Sequence, residues 1–297
     1  MKVKRDLVEF YPIPTFSINE ILDDEEKRTF DIQSVTLYPG QLQLDGSSAG
    51  LVGVGGFKTT QLTQLMLGTL RSSGIGSQAC QHIVVKRFYI RKSAPDNDGK
   101  MCFNRLTISD KLEKLYREAN ILYWAKSLFQ LTYDFIDRTI TNATIPPPFV
   151  IPQLHFVDAG LMLTVKSSNN GVKGPNAANV HTPYLAEERI PNDQPFVKYI
   201  HNSDPNPLPE EDELGYDLTQ FLAFTQHIQY VKTGGLAYVY HRLPRYAQLC
   251  DVWSSLQLLT AHVTRKQNSS YRPANFDAPI NFPFVHRNHS QPNDPSV

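Results

Sequence analysis

Two short runs carry the residue types that could do chemistry. The first is Gly53-Val54-Gly55-Gly56-Phe57-Lys58, and the second, further along the chain, is Ile83-Val84-Val85-Lys86-Arg87-Phe88. A glycine-rich turn lets a backbone approach phosphate oxygens closely, because no Cβ stands between amides and anion. A strand with one lysine can then set an ammonium beside the same oxygens. On a strand Val84, Lys86, Phe88 and Ile90 share a face. A lysine among apolar neighbours needs an anionic partner, since burying an unpaired ammonium is costly. A polyphosphate would serve. The alternatives are an ordinary hairpin turn at Gly53, Gly55 and Gly56, and an edge-strand Lys86 with its head in water. The glycine run lacks the closing Gly-Lys-Ser/Thr of a Walker loop and does not fit the dinucleotide fingerprint.

Candidate carboxylates lie downstream. Glu118 sits within a long helical segment, where it could orient Lys86; the alternative is a solvated charge or a local pair with Lys114. Glu187 and Glu188 follow a strand-like stretch, and a carboxylate there could contact an adenosine; the alternative is a charged strand end. The acidic run Glu210-Glu211-Asp212-Glu213 reads as a solvated loop. His201, His227 and His241 are isolated, no His/Cys pair has zinc spacing, and no Gly-x-Ser-x-Gly elbow occurs. These residue types therefore nominate neither a metal ligand nor a catalytic residue.

The elements that must position these residues follow from periodicity. Residues 111–137 carry Leu112, Leu115, Ala119, Leu122, Ala125, Phe129, Tyr133 and Ile136 at steps of three or four, which predicts an amphipathic helix capped by Asp110. Strands are expected at 31–37, 41–44 and 82–91, and again over 150–164 with a break near Asp158-Ala159-Gly160. Ile145-Pro146-Pro147-Pro148 marks a rigid connector. Residues 166–183 read as a mobile loop, 183–199 as strand pieces, 218–230 as a helix and 236–240 as a short strand. The stretch 264–297 is rich in Pro, Asn and His and shows no apolar period.

Composition sets the frame. The 297 residues are 41% hydrophobic and 20% charged, with Lys+Arg and Asp+Glu equal at 29 each. That balance suits a globular protein and implies no bulk attraction to nucleic acid or to an anionic membrane. No run reaches the ~18 apolar residues of a membrane span, and no apolar signal core follows Met1. Cys80, Cys102 and Cys250 are odd in number and widely spaced, so the expected compartment is the reducing cytoplasm.

Several stretches together resemble the alpha-type (atypical) protein kinases, most of all a fungal branch. The carrying pieces are Val52-Gly53-Val54-Gly55-Gly56-Phe57-Lys58-Thr59, Val84-Val85-Lys86-Arg87, Tyr116-Arg117-Glu118-Ala119-Asn120, Phe196-Val197-Lys198-Tyr199-Ile200-His201-Asn202 and Phe221-Leu222-Ala223-Phe224-Thr225-Gln226-His227. The resemblance implies an α+β, two-lobed protein-kinase-like fold with its second lobe incomplete. Residues 1–30 would be an extension, 31–182 an ATP-binding lobe, 183–240 the hinge and start of the second lobe, and 241–297 a disordered tail. It implies ATP and Mg²⁺ as cofactors, with Gly53, Gly55, Gly56, Lys86, Glu118, Glu187 and Asn202 at the nucleotide. The implied reaction is transfer of the γ-phosphoryl to a Ser or Thr hydroxyl of a protein substrate. The alternatives are a pseudokinase that binds nucleotide or a partner without transfer, and an interaction protein with no nucleotide site.

The chain departs from that family after Tyr240. The family's Asp-x-Gln-Gly, whose Asp and Gln hold the metal, is replaced by His241-Arg242-Leu243-Pro244-Arg245, and its catalytic Thr-Asp-Pro-Gln and zinc cluster are missing. One synonymous spelling of residues 241–245 is CAT CGA TTA CCA AGG. Read one base later it gives Ile-Asp-Tyr-Gln followed by Gly, which is the missing motif. A shift of reading frame or a splice boundary near Tyr240 is therefore expected. Sequencing the transcript across codons 235–265 should return those synonyms; a continuous message with other synonyms rules the shift out.

Overall fold

The computed structural model describes residues 3–47, 50–91, 103–104, 106–147, 149–165, 180–190, 199, 208–235, 237 and 239. The chain divides into two units, Met1–Val263 and Thr264–Val297, and all described residues belong to the first. Along the chain come β1 (Val3–Pro12), α1 (Ile18–Asp23), β2 (Tyr38–Asp45), β3 (Leu51–Val54), β4 (Lys58–Leu67), β5 (Gln81–Phe88), β6 (Ile90–Arg91) and β7 (Phe103–Asn104). Then follow α2 (Ile108–Thr141), β8 (Ala159–Val165), β9 (Val180–Glu188) and α3 (Tyr216–Lys232).

The main sheet runs β2-β1-β8-β9-β5-β4-β3, and β4 also pairs with β2. Six strands thus close into an antiparallel barrel, with β3 attached outside the ring as the first arm of a hairpin with β4. Closure removes the free edges that an open sheet would leave. Alternation fills the inside: Val8 and Phe10 of β1, Leu42 and Leu44 of β2, Leu65 and Leu67 of β4, and Ile83 and Val85 of β5 form one buried cluster with Met162, Tyr184 and Ala186. The opposite parity faces outward. There Phe88, Leu161, Leu163 and Leu185 pack against Leu115, Ala119 and Leu122 of α2 in a second buried cluster.

The helix α2 is longer than its periodicity predicts, 34 residues against 111–137. Its cap is Thr107 rather than Asp110: the Thr107 Oγ1 accepts from the Asp110 N–H at 3.1 Å. The expected stripe is the packed face, with Leu115, Ala119, Leu122, Ala125, Phe129 and Ile136 buried and Leu112 and Tyr133 partly so.

The two-lobed kinase-like α+β fold expected from the resemblance is overturned by this barrel, which has few helices. The physical reason lies at the N-terminus. Residues 3–12, read as part of an extension, are β1, and they pair with β2 on one side and β8 on the other. Without β1 the remaining strands would form an open sheet; with it the ring closes. The expected extension, residues 1–30, also holds a capping box, in which Ser17 and Glu20 exchange hydrogen bonds at the start of α1. Residues 31–37 form no strand. Asp31 instead caps a short 3₁₀ turn at Ile32–Ser34. The expected boundary between 182 and 183 falls inside β9, and that strand belongs to the barrel. Residues 241–297 lie outside the described residues.

One end of the barrel is shut by the loop after β4. Ile75, with no exposed surface, joins the interior cluster. Its N–H donates to Asp158 Oδ2 at 2.7 Å, Arg71 Nη1 donates to the same oxygen at 3.1 Å, and Lys126 Nζ of α2 lies 3.3 Å from Oδ1. The Arg71 guanidinium also stands 5.7 Å from the Phe10 ring and 5.9 Å from that of Tyr38. Burial alone would raise the Asp158 carboxyl, but Lys126, the Ile75 amide and Arg71 together hold it below its ordinary value. A carboxyl depressed in the folded state stabilises above its unfolded value, about 3.9, and that stabilisation is lost as pH falls through the lower folded value. Asp158→Asn should lower the unfolding free energy at neutral pH by about 1–3 kcal/mol and flatten its fall in acid. Equal denaturant midpoints and equal acid profiles for the two proteins would contradict the clamp.

Candidate functional site

Strand register brings the charged residues together. In the β4–β5 ladder Lys58 stands opposite Phe88 and Thr60 opposite Lys86. In the β5–β9 ladder Lys86 stands opposite Leu185 and Val84 opposite Glu187. Lys58, Lys86 and Glu187 therefore step diagonally across three neighbouring strands on the outer face of the barrel. The helix α2 covers that face, and position 118 falls three residues after Leu115 and four before Leu122, so its side chain points at the strands. Glu118 meets Lys58 there.

The result is a quartet of enclosed charges. Lys58, Lys86, Glu118 and Glu187 are each no more than 3% exposed. Lys58 Nζ donates to Glu118 Oε1. Lys86 Nζ lies 2.5 Å from Glu187 Oε2, yet the approach falls outside hydrogen-bonding angles, so that pair is held by charge without a directional bond. Glu187 Oε1 is likewise enclosed with no hydrogen-bond partner among the described residues. Burial pushes the Lys58 ammonium below its ordinary pKa and the Lys86 charge pushes the same way, while Glu118 and Glu187 oppose both. The Phe88 ring lies between two cations, with Lys58 Nζ at 5.4 Å and Lys114 Nζ at 5.7 Å from its centroid.

The glycine run is the turn of the β3–β4 hairpin. Val54 pairs with Thr59, and the Gly55 N–H donates to the Lys58 carbonyl at 2.8 Å. Tyr89, just past β5, ties this turn down: its N–H donates to the Phe57 carbonyl at 2.9 Å and its hydroxyl to the Gly55 carbonyl. None of Gly53, Gly55 and Gly56 has a positive φ. A Cβ at Gly53 or Gly56 would meet nothing within 4 Å, and at Gly55 the nearest atom is the Lys58 carbonyl oxygen at 3.6 Å. The fold itself does not demand glycine here. Its effect is to leave bare backbone on the side of the hairpin that opens away from the protein.

Three of the site residues named from sequence thus converge, in an arrangement different from the one expected. Glu118 engages Lys58 instead of orienting Lys86, and Glu187 is enclosed against Lys86. Ile90, expected on the face of Lys86, belongs to the separate β6–β7 pair. Asn202 lies outside the described residues, as does the piece around it apart from Tyr199. Lys58 and Tyr89 were missed as site residues. Parity was the available signal for Lys58, which shares an outward face with Thr60 and so stands beside Lys86 once the two strands pair.

By fold and site the chain is a closed antiparallel barrel with a long helix keyed to its outer face by buried ion pairs. No family model and no curated protein matches the chain. No helix among the described residues is long and apolar enough to cross a membrane. The described residues also do not fit Mg²⁺: both carboxylates of the quartet already face ammonium groups, and no three His, Cys, Asp or Glu side chains come together as a metal would need.

Removing one member of a buried pair leaves its partner charged and alone, at a cost of about 3–5 kcal/mol, whereas replacing both with apolar side chains is often neutral. Glu118→Gln should therefore destabilise strongly in denaturant unfolding, and Lys58→Met/Glu118→Leu should recover most of the loss. A single variant as stable as the double one would show that the pair is not electrostatically closed.

Proposed function

We propose that the chain binds a nucleoside triphosphate, ATP by its resemblance, with the phosphates at Lys86 and Lys58 beside the Gly55-Gly56 turn. The observation that carries this is the Lys86 ammonium: enclosed beside Glu187 and lacking a directional hydrogen bond. Such an ammonium still has N–H donors that an anion with well-directed oxygens would take up. The bare hairpin backbone next to Lys58 supports the same reading, because it gives phosphate oxygens a close approach that the fold does not otherwise need.

The further step, transfer to a protein Ser or Thr hydroxyl, rests on the sequence resemblance. In it the bond between Pγ and the β–γ bridging oxygen breaks with its electron pair going to that oxygen, a bond from Pγ to the hydroxyl oxygen forms, the hydroxyl proton passes to solvent water, and ADP departs. Bound ATP would supply the phosphoryl group, and Lys86 and Lys58 would neutralise charge on its oxygens. No general base is assigned among the described residues, and Mg²⁺ takes no part in this scheme. Binding without transfer is favoured by the replacement of the family's metal-holding motif at 241–245. ATP as ligand and the exposed thiol of Cys80 support a cytoplasmic setting.

A competing reading is purely architectural: two ion pairs lock α2 to the barrel and no nucleotide binds. The one-to-one match of ammonium and carboxylate favours it. Titration with a fluorescent ATP analogue, with and without Mg²⁺, separates the two. The parent chain should bind, and Lys86→Met/Glu187→Leu, which keeps the site neutral, should bind at least about tenfold more weakly at an unchanged melting temperature. A folded parent that binds no analogue at millimolar concentration, or a double variant that binds as the parent does, would sink the ATP reading. Radiolabelled γ-phosphoryl transferred to protein by the same preparation would favour catalysis over binding alone.

A further inference from the structure

Resting on the nucleotide reading above, we infer that Glu187 is an internal competitor of the ligand: its carboxylate occupies the place at Lys86 that a phosphate takes when polyphosphate binds. The charges of the quartet favour such an exchange. Two ammoniums and two carboxylates share one enclosed face and sum to zero. A triphosphate brings several negative charges, and a phosphate at Lys86 would press directly against Glu187. Like charges at that range repel strongly where water is excluded.

The geometry selects which carboxylate yields. Glu118 accepts a hydrogen bond from Lys58 and sits in mid-helix, on the packed face between Leu115 and Leu122. Glu187 has no comparable hold. Its Oε2 meets Lys86 without hydrogen-bond geometry. It is also the second-to-last residue of β9, and the β5–β9 ladder ends one residue later at the pairing of Ile83 with Glu188. The charged groups around it are Lys86 on β5, Lys58 on β4, and Glu118 on α2. Lys86 pairs with it directly. Glu187 is thus retained at the cation by charge alone, and an anion of higher charge displaces it.

This role differs from an adenosine contact, and the two give opposite signs. Glu187→Gln keeps the shape of the side chain and removes its charge. If Glu187 competes, the variant should bind ATP about tenfold more tightly than the parent. It should gain by a similar factor for inorganic tripolyphosphate, which has no base to contact. If Glu187 holds adenosine, affinity for ATP falls and that for tripolyphosphate is unmoved; if it only braces the barrel, neither affinity rises. Should Glu187→Gln fail to fold by circular dichroism, Glu187→Asp decides: its shorter carboxylate reaches Lys86 less closely, so tripolyphosphate affinity should rise, by less than tenfold. Parent binding with unchanged or weaker binding in these variants overturns the competitor and leaves the nucleotide reading standing. Folded parent and folded variant that both ignore ATP and tripolyphosphate overturn both.

Discussion

The arrangement turns on two ammonium–carboxylate pairs buried between a long helix and the outer wall of a barrel. Taking such ions out of water costs several kcal/mol each, and their attraction repays that only where partners meet closely. This makes the contact between α2 and the strands selective rather than merely adhesive. An apolar helix face can slide over an apolar wall with modest loss. A face carrying Glu118 cannot, because a shift of one turn would part it from Lys58 and leave both charges enclosed without each other. The quartet therefore sets the register of α2 on the barrel, while Leu115, Ala119 and Leu122 supply the bulk of the burial.

The barrel in turn gives the charges a rigid floor. Lys58, Lys86 and Glu187 come from three different strands, and their spacing depends on ladders that cannot slip without exchanging inward and outward faces. Closure by β1 secures those ladders from the far side of the ring. The loop closing one end adds a second polar anchor, where Asp158 gathers Arg71, Lys126 and the Ile75 amide. Lys126 belongs to α2, so the helix is pinned by ions at two places along its length: Glu118 on Lys58 and Lys126 on Asp158. Between them its apolar stripe lies flat on the wall.

The hairpin beside the quartet is held differently. Tyr89 grips its turn through the Gly55 and Phe57 carbonyls, which steadies the loop without calling on a side chain at the glycines. The two neighbouring elements thus differ in kind: a wall whose charges are enclosed under α2, and a turn fixed through its backbone. An enclosed ammonium such as that of Lys86 calls for an anion beside it. A phosphate or a carboxylate must stand against it, and in this structure the carboxylate does.

Local signals in the sequence were enough to mark the glycine hairpin, the strand bearing Lys86, strand character near Glu187 and the amphipathic stripe of α2. Each is a matter of period or turn chemistry within a few residues, and these depend little on the rest of the chain. Parity also put Lys86 on the face of Val84 and Phe88, where it lies. Ring closure was decided elsewhere. Nothing local in residues 3–12 shows that β1 will lie between β2 and β8, because that choice is made by packing across long separations, among Phe10, Leu42 and Met162. The partners of the lysines were settled at the same level. A side chain's face follows from its own strand, but which opposite charge it meets depends on the stagger between strands and on where the helix comes to rest. That is why Glu118 belongs to Lys58 and Glu187 to Lys86, and why Lys58 joins the site only once the barrel has closed.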